Sequence, residues 1–322
     1  MLKYLVVLLD DMSTAYCHYE NEKKVSKLIS LEDLKAGILF AMKENLIVQF
    51  VYPKYELPQE YHNIINTIHH CKIIPMGNKE KGDVIVLNGW GDFIDCTFEE
   101  DITYVFRITK DAFFTNSSQI KEILGKTTRL NIIITDVGRF TDEDFNKYMD
   151  CLQVLNKELE KLYVNGKTPQ LNLLTDRMML TAMNNCNAGW ENITLAPDGK
   201  FYVCPAFYQA DSKITIEEKV PYVGDLRTGV DIKNPQLYKL NYAPLCRDCD
   251  AYQCKRCIWL NRKMTMEVNT PSHEQCVVAH LERNASRDLL TSIRKQKEFM
   301  PNMNIVEVDY LDPLDTRKNS NY

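Results

Sequence analysis

Eleven cysteines stand in this 322-residue chain, and seven of them fall in one spaced series in its C-terminal half. From Cys186, twelve residues lead to Gly199 and four more to Cys204. Cys246-Arg-Asp-Cys249 follows, then four residues, Cys254-Lys-Arg-Cys257, and finally Cys276. A Cys-x2-Cys pair lets two thiolates from one tight turn reach the same metal. Thiolates select zinc or iron-sulfur clusters over hard cations, so the spacing narrows the metal before any geometry is known. Two metal chemistries stay open: iron-sulfur clusters that use all seven cysteines, or one zinc held by Cys246, Cys249, Cys254 and Cys257. A third reading makes the cysteines small buried apolar residues. Zinc leaves Cys186, Cys204 and Cys276 unemployed, and a gap of four residues is tight for two separate zinc knuckles. The spacing therefore favours iron-sulfur clusters.

Other candidate groups carry less. Cys71 follows His69 and His70, but neighbours in a chain do not face each other, and a base must come within hydrogen-bond reach of its thiol. Cys96 and Cys151 have no partners in sequence and read as structural. Asp10 and Asp11 end an apolar run, where strand ends of α/β folds line ligand crevices; loop capping is the plainer reading. The stretch Asn88-Gly89-Trp90-Gly91-Asp92 lacks the dinucleotide fingerprint and reads as a loop. The charged run from Arg283 to Lys297 reads as a solvated helix face.

These groups need a scaffold, and the first 180 or so residues supply an alternating pattern. Strands are expected at Tyr4 to Leu9, Ile47 to Tyr52, Lys72 to Pro75, Asp83 to Leu87, Tyr104 to Ile108, Leu130 to Thr135 and Gln170 to Leu174. Between them lie helices: Leu31 to about Asn45 capped by Ser30, Pro58 to about His70, Ser118 to Leu124, and a long one opened by Thr141 and reaching Tyr163. Alternation of this kind favours a parallel sheet covered by helices, open or curled into a partial barrel. It stops near residues 178 to 185. Beyond come a hairpin from Asn192 to Val203 turned by Pro197-Asp198-Gly199, the cysteines, a helix from His273 to Lys297, and a polar tail after Asp312. The expected division is 1–180, 181–298 and a C-terminal extension 299–322.

Composition bounds the setting. With 45% hydrophobic and 26% charged residues the chain reads as an ordinary globular protein. A net charge of −5 without a basic stripe argues against nucleic acid as a partner. The apolar run Leu5 to Leu9 is short and meets Asp10 and Asp11, so it is a strand, not a signal sequence, and no window approaches the roughly 20 apolar residues of a membrane span. No membrane association and a cytoplasmic setting are expected, where cysteines serve as thiolates sooner than as disulfides.

The cysteine series resembles the SPASM domain found at the C-terminus of many radical S-adenosylmethionine enzymes that modify peptides. That family runs Cys, nine to fifteen residues, Gly, four residues, Cys, then Cys-x2-Cys-x5-Cys-x3-Cys and a last Cys; this chain departs by one residue in each of the last two spacings. The resemblance implies two auxiliary 4Fe-4S clusters. Carried over by position, Cys186, Cys204 and Cys257 would bind the first, and Cys246, Cys249, Cys254 and Cys276 the second. Some family members supply the first cluster's fourth cysteine six residues before the series; Leu180 stands there, which implies an open iron or a non-cysteine ligand.

Radical enzymes of this kind place Cys-x3-Cys-x2-Cys after the first strand of a partial (β/α) barrel. Here Ser13-Thr14-Ala15-Tyr16-Cys17-His18-Tyr19-Glu20 occupies that loop. Only Cys17 matches, with Ser13 and Glu20 at the other two positions, so the motif is degenerate. Neither serine nor glutamate is a usual replacement for a soft thiolate. After the second strand, Tyr52-Pro53-Lys54-Tyr55-Glu56 stands where the family has the Gly-Gly-Glu-Pro that contacts the cofactor amine. S-adenosylmethionine binding and radical chemistry are therefore not expected from this chain alone.

As a whole the chain is similar to the CXXX repeat peptide maturases. That likeness implies maturation of a ribosomally made peptide with Cys-x3 repeats, beside a separate, intact radical enzyme that performs the modification; an open iron could then ligate peptide thiolates. The alternatives are a non-radical enzyme that still binds S-adenosylmethionine, and a zinc-stabilised interaction module.

Overall fold

The computed structural model describes residues 2–210, 222–306 and 308. The polar tail after Asp312 lies outside the described residues. Along the chain run β1 (Tyr4–Leu8), α1 (Leu31–Lys43), β2 (Ile47–Val51), α2 (Gln59–Ile65), β3 (His70–Pro75), β4 (Val84–Asn88) and α3 (Trp90–Asp95). Next come β5 (Thr103–Ile108), α4 (Lys110–Ile120), β6 (Arg129–Ile134), α5 (Asp142–Val164), β7 (Gln170–Leu171), β8 (Asn192–Leu195), β9 (Phe201–Tyr202) and α6 (Ala206–Gln209). The small pair β10 (Gly224–Asp225) and β11 (Gly229–Val230) precedes α7 (Ile258–Thr265) and α8 (His273–Gln296).

Nine strands form one mostly parallel sheet in the order β7-β6-β5-β4-β3-β2-β1-β8-β9. Only β9 is antiparallel, joined to β8 by a hairpin. The first seven strands lie in sequence order, as expected when each helical crossover returns to the next position with the same hand. Helices then cover one face and leave the other as an inside, which makes a partial (β/α) barrel. Strand β1 shows why such a strand is buried: Leu5, Val7 and Leu8 are at most 1% exposed, pairing with β2 on one side and β8 on the other. Burying each of these side chains is worth about 1.5–3 kcal/mol.

Helix starts follow their caps. The Ser30 hydroxyl accepts from the Asp33 amide at the head of α1, and Thr141 and Asp144 form a capping box at α5. The hairpin turn needs Gly199, whose φ is +77°, while the Asp198 carboxylate accepts from the Lys200 amide (3.1 Å) and the Tyr202 hydroxyl (2.8 Å).

Several sequence expectations are corrected. Helix α2 ends at Ile65 instead of reaching His70; Asn66 caps it, and the Thr67 hydroxyl bonds back to the Ile64 carbonyl. His70 already pairs in the sheet opposite Val48. Helix α4 begins at Lys110, eight residues before Ser118, because Phe113, Ser117 and Ile120 share its buried face. The glycine-rich loop opens a short helix at Trp90, entered through Gly89 at φ +88°. In the charged run, Arg283 is buried and its Nη1 lies 2.9 Å from Asp250, so that end of the run is core.

Candidate metal centres

Cys186 leaves the barrel just before β8, and its amide donates to the Lys255 carbonyl (2.8 Å). Two residues earlier the Asn184 amide donates to the Tyr252 carbonyl (2.7 Å). These bonds lay the segment 184–186 against 252–257. The Asn192 side chain donates to the Cys186 carbonyl (2.8 Å). The turn between them requires Gly189, since a Cβ there would come within 2.9 Å of Tyr238 and Val203. The hairpin β8–β9 then delivers Cys204, and α6 follows it. Cys257 caps the N-terminus of α7.

The outcome is a cavity of about 250 Å³ against the sheet, lined by Cys186, Cys204, Cys257 and also Cys17. Sequence reasoning treated Cys17 as a remnant of the radical motif, not as a neighbour of this group. The only hint was its place in the loop after β1, the strand that lies directly beside β8. Tyr16, Tyr19 and Trp259 also line this cavity, with the Tyr19 and Trp259 rings edge to face at 6.2 Å.

A second cavity, of about 360 Å³, is lined by Cys246, Cys249, Cys254 and Cys276. His280 of α8 joins it, with Nε2 3.5 Å from the Cys249 sulfur. Cys254 thus lines the second cavity and Cys257 the first although they form one Cys-x2-Cys, and both also line a smaller space of about 80 Å³. Between them Arg256 takes a left-handed φ of +44°. Its buried guanidinium is held by the Asn185 carbonyl oxygen (2.8 Å from Nε) and the Tyr238 backbone carbonyl.

The sulfurs are met by amide donors. The Ala251 and Arg256 amides donate to Cys249 and Cys254, each at 3.4 Å. Backbone amides of Ala188, Ala206, and Trp259 with Leu260 do the same for Cys186, Cys204 and Cys257, lowering each thiol's pKa. Burial outweighs them: it pushes Cys257 and Cys254 up to about 12 and Cys246 up to about 11. Cys17 and Cys204 are raised by burial first and by the neighbouring cysteines next. Four buried thiols gathered at one cavity would give up their protons on binding a cation they can share.

Donor type fits an iron-sulfur cluster: each cavity offers four sulfurs with amide donors to several of them, the surroundings that tune such clusters. Among the described residues, no three His, Cys, Asp or Glu side chains converge on one ion position; the sulfurs instead surround spaces several times the roughly 30 Å³ share of one water. Cys71 and Cys96, each raised to about 11 by burial, and Cys151 line neither cavity.

The degenerate loop is fixed by other means. The buried Ser13 hydroxyl donates to the Val51 carbonyl (2.8 Å) and accepts from the Asp10 amide (3.0 Å). Glu20 turns to the buried Arg107 of β5 (2.7 Å). Arg107 also donates to the Cys17 carbonyl (2.9 Å), the Tyr19 carbonyl and Asn88. His18 Nδ1 lies 3.0 Å from the Ile134 carbonyl, and the Tyr19 hydroxyl donates to Gln209 (2.9 Å). Asp10 accepts from the Met12 amide and the Ser26 hydroxyl, and Asp11 from Tyr208, so both serve the loop. After β2, the Tyr52 carbonyl accepts from the Thr14 amide (3.0 Å).

No family model and no curated protein matches the chain. Solved structures do. Native anSMEcpe with bound AdoMet and a Cp18Cys peptide superposes with a TM-score of 0.57, covering 92% of this chain and 100% of that one at 10% identity. A histidine-tagged form of anSMEcpe with bound AdoMet gives 0.56 over 92% and 96%, and native anSMEcpe with AdoMet and a Kp18Cys peptide 0.56 over 91% and 99%, each at 10% identity. The fold is radical-SAM-like. anSME is an anaerobic sulfatase-maturing enzyme, a radical SAM enzyme with a SPASM domain, and at 10% identity the likeness is one of fold. No helix among the described residues is long and apolar enough to cross a membrane.

Proposed function

We propose that this chain is an iron-sulfur protein of peptide maturation that does not cleave S-adenosylmethionine itself. The observation that carries the reading is the gathering of eight cysteines around two cavities, four to each, while Ser13 and Glu20 are committed to Val51 and Arg107. Two 4Fe-4S clusters would supply rigid cross-links and electron capacity. The chain's own residues set their surroundings: Arg256 offers positive charge between the two groups, and the backbone amides hold the sulfurs.

A radical-SAM-like fold whose solved neighbours carry bound peptides supports a peptide as the partner. The finer reading is a ribosomally made precursor with Cys-x3 repeats, modified by a separate radical SAM maturase as in the CXXX repeat peptide maturases. The anaerobically purified and reduced chain, given S-adenosylmethionine, should form no 5′-deoxyadenosine above a blank without protein, and should retain a Cys-x3 repeat peptide on a column. Turnover of the cofactor would overturn the first half of the reading; a peptide that elutes with an unrelated cysteine-free control would overturn the second. The zinc-stabilised module is favoured by no separate observation.

A further inference from the structure

Position by position, the SPASM-like pattern leaves the first cluster one thiolate short, with Leu180 where a fourth cysteine would precede the series. The cavity formed by Cys186, Cys204 and Cys257 is not short of sulfur, because Cys17 reaches it from the loop after β1. We propose that Cys17 is the fourth thiolate of the first cluster, so that the loop which serves cofactor binding in radical enzymes here closes an auxiliary cluster. The proposal rests on the cluster reading above and deepens it.

Two further observations point the same way. The loop is built to hold one residue. Ser13, His18 and Glu20 direct their polar atoms to partners on the barrel, Val51, Ile134 and Arg107, and Tyr19 to Gln209 of α6. The Cys17 carbonyl is itself clamped by Arg107. Cys17 keeps the one side chain of the three motif positions that lies on the cavity, and a soft thiolate there matches its three neighbours. On binding, the Cys17 S–H proton leaves to solvent as the Fe–S bond forms. A consequence follows for the peptide: with four cysteines on each cavity, neither cluster offers an iron for a substrate thiolate, and recognition must come from the protein surface.

The test uses the full chain purified without oxygen, as wild type, Cys17→Ala and Cys17→Ser, with iron counted before any oxidant is added. Ferricyanide then takes one electron from a 4Fe-4S cluster in its +2 state, and an iron without a cysteine leaves as Fe²⁺, giving a 3Fe-4S cluster in its +1 state with its own electron-paramagnetic-resonance signal. We expect about one such centre per chain in Cys17→Ala and under about a tenth in wild type. Loss of about four of the eight irons in that variant, with unchanged circular dichroism, supports the proposal equally. Should Cys17→Ala lose the fold, Cys17→Ser keeps a ligand of similar size and is expected to retain iron with a changed signal from the reduced cluster. The proposal is overturned if both variants match wild type in iron count and signal, or if wild type itself yields the full three-iron centre. A wild-type chain without iron removes the underlying cluster reading instead, and that failure is seen before the oxidation step.

Discussion

Cys254 and Cys257 stand three positions apart and are divided between the two four-cysteine cavities, with Arg256 between them turning the backbone through the left-handed region. Spacing alone cannot reveal such a split; only the resemblance to SPASM domains assigned the two cysteines to different clusters. What the sequence does expose at this scale is identity and count, and hence the class of metal. Cys17 was not legible as a neighbour of Cys186 because their shared cavity depends on β1 and β8 lying side by side, a pairing between strands far apart in sequence. Glu282 was hidden for a related reason: it lies in a charged helical stretch yet is buried, accepting from Tyr148 (2.7 Å) and Gln253 (3.3 Å). Burial raises its carboxyl to about 7 from an ordinary 4.5. A carboxyl whose folded pKa is raised contributes fully below the unfolded value and loses that contribution as pH climbs through the folded one. Glu282→Gln, which cannot ionise, is therefore expected to melt increasingly above wild type between about pH 4.5 and pH 7. Paired thermal melts across that window check this, and a difference that stays flat or shrinks with rising pH contradicts it.

Elements were the most readable level. Period-two and continuous apolar runs marked the strands of the barrel, though the seventh, expected over Gln170 to Leu174, ends at Leu171 where the chain turns, and hydroxyl caps marked α1 and α5. Misreadings came where tertiary packing decided: α4 starts early because Phe113 packs inward, and the helix read through His70 gave way to β3, whose pairing with β2 fixes His70 and Cys71 in the sheet. Two clamps between elements, neither apparent in sequence, now carry predictions. Asp250, beside the cysteine pairs, takes Arg283 of α8 on one oxygen (2.9 Å) and lies 3.6 Å from Arg177, which follows β7. All three are buried. Asp250→Ala leaves two buried guanidinium groups without their shared carboxylate and should cost about 3–5 kcal/mol in urea unfolding. A loss under about 1 kcal/mol, the usual size for an exposed pair, would show that the clamp contributes little. Arg107→Ala removes the donor to the Cys17 and Tyr19 carbonyls and to Glu20. That variant is expected to lose iron from the Cys17 cavity about tenfold faster than wild type under a chelator, the scale on which groups that orient metal ligands change metal affinity. Iron at the other cavity should leave at an unchanged rate. Equal loss from both sites would make Arg107 a general stabiliser instead.

At the scale of the molecule, the alternating first half predicted an α/β fold curled into a partial barrel, and the radical-SAM-like sheet is that fold. The sheet continues through the hairpin β8–β9, which ties the cysteine-rich half to β1. That continuity is how one loop of the barrel and three cysteines of the C-terminal half come to line a single space. The measurement that bears most directly on this account is iron, acid-labile sulfide and zinc content, with an absorption spectrum, on full-length protein purified without oxygen. Two closed clusters predict about eight irons and eight sulfides per chain, a brown colour and negligible zinc. One or two zinc ions per chain with no visible absorption would contradict it and leave the cysteines as the frame of a zinc-stabilised scaffold.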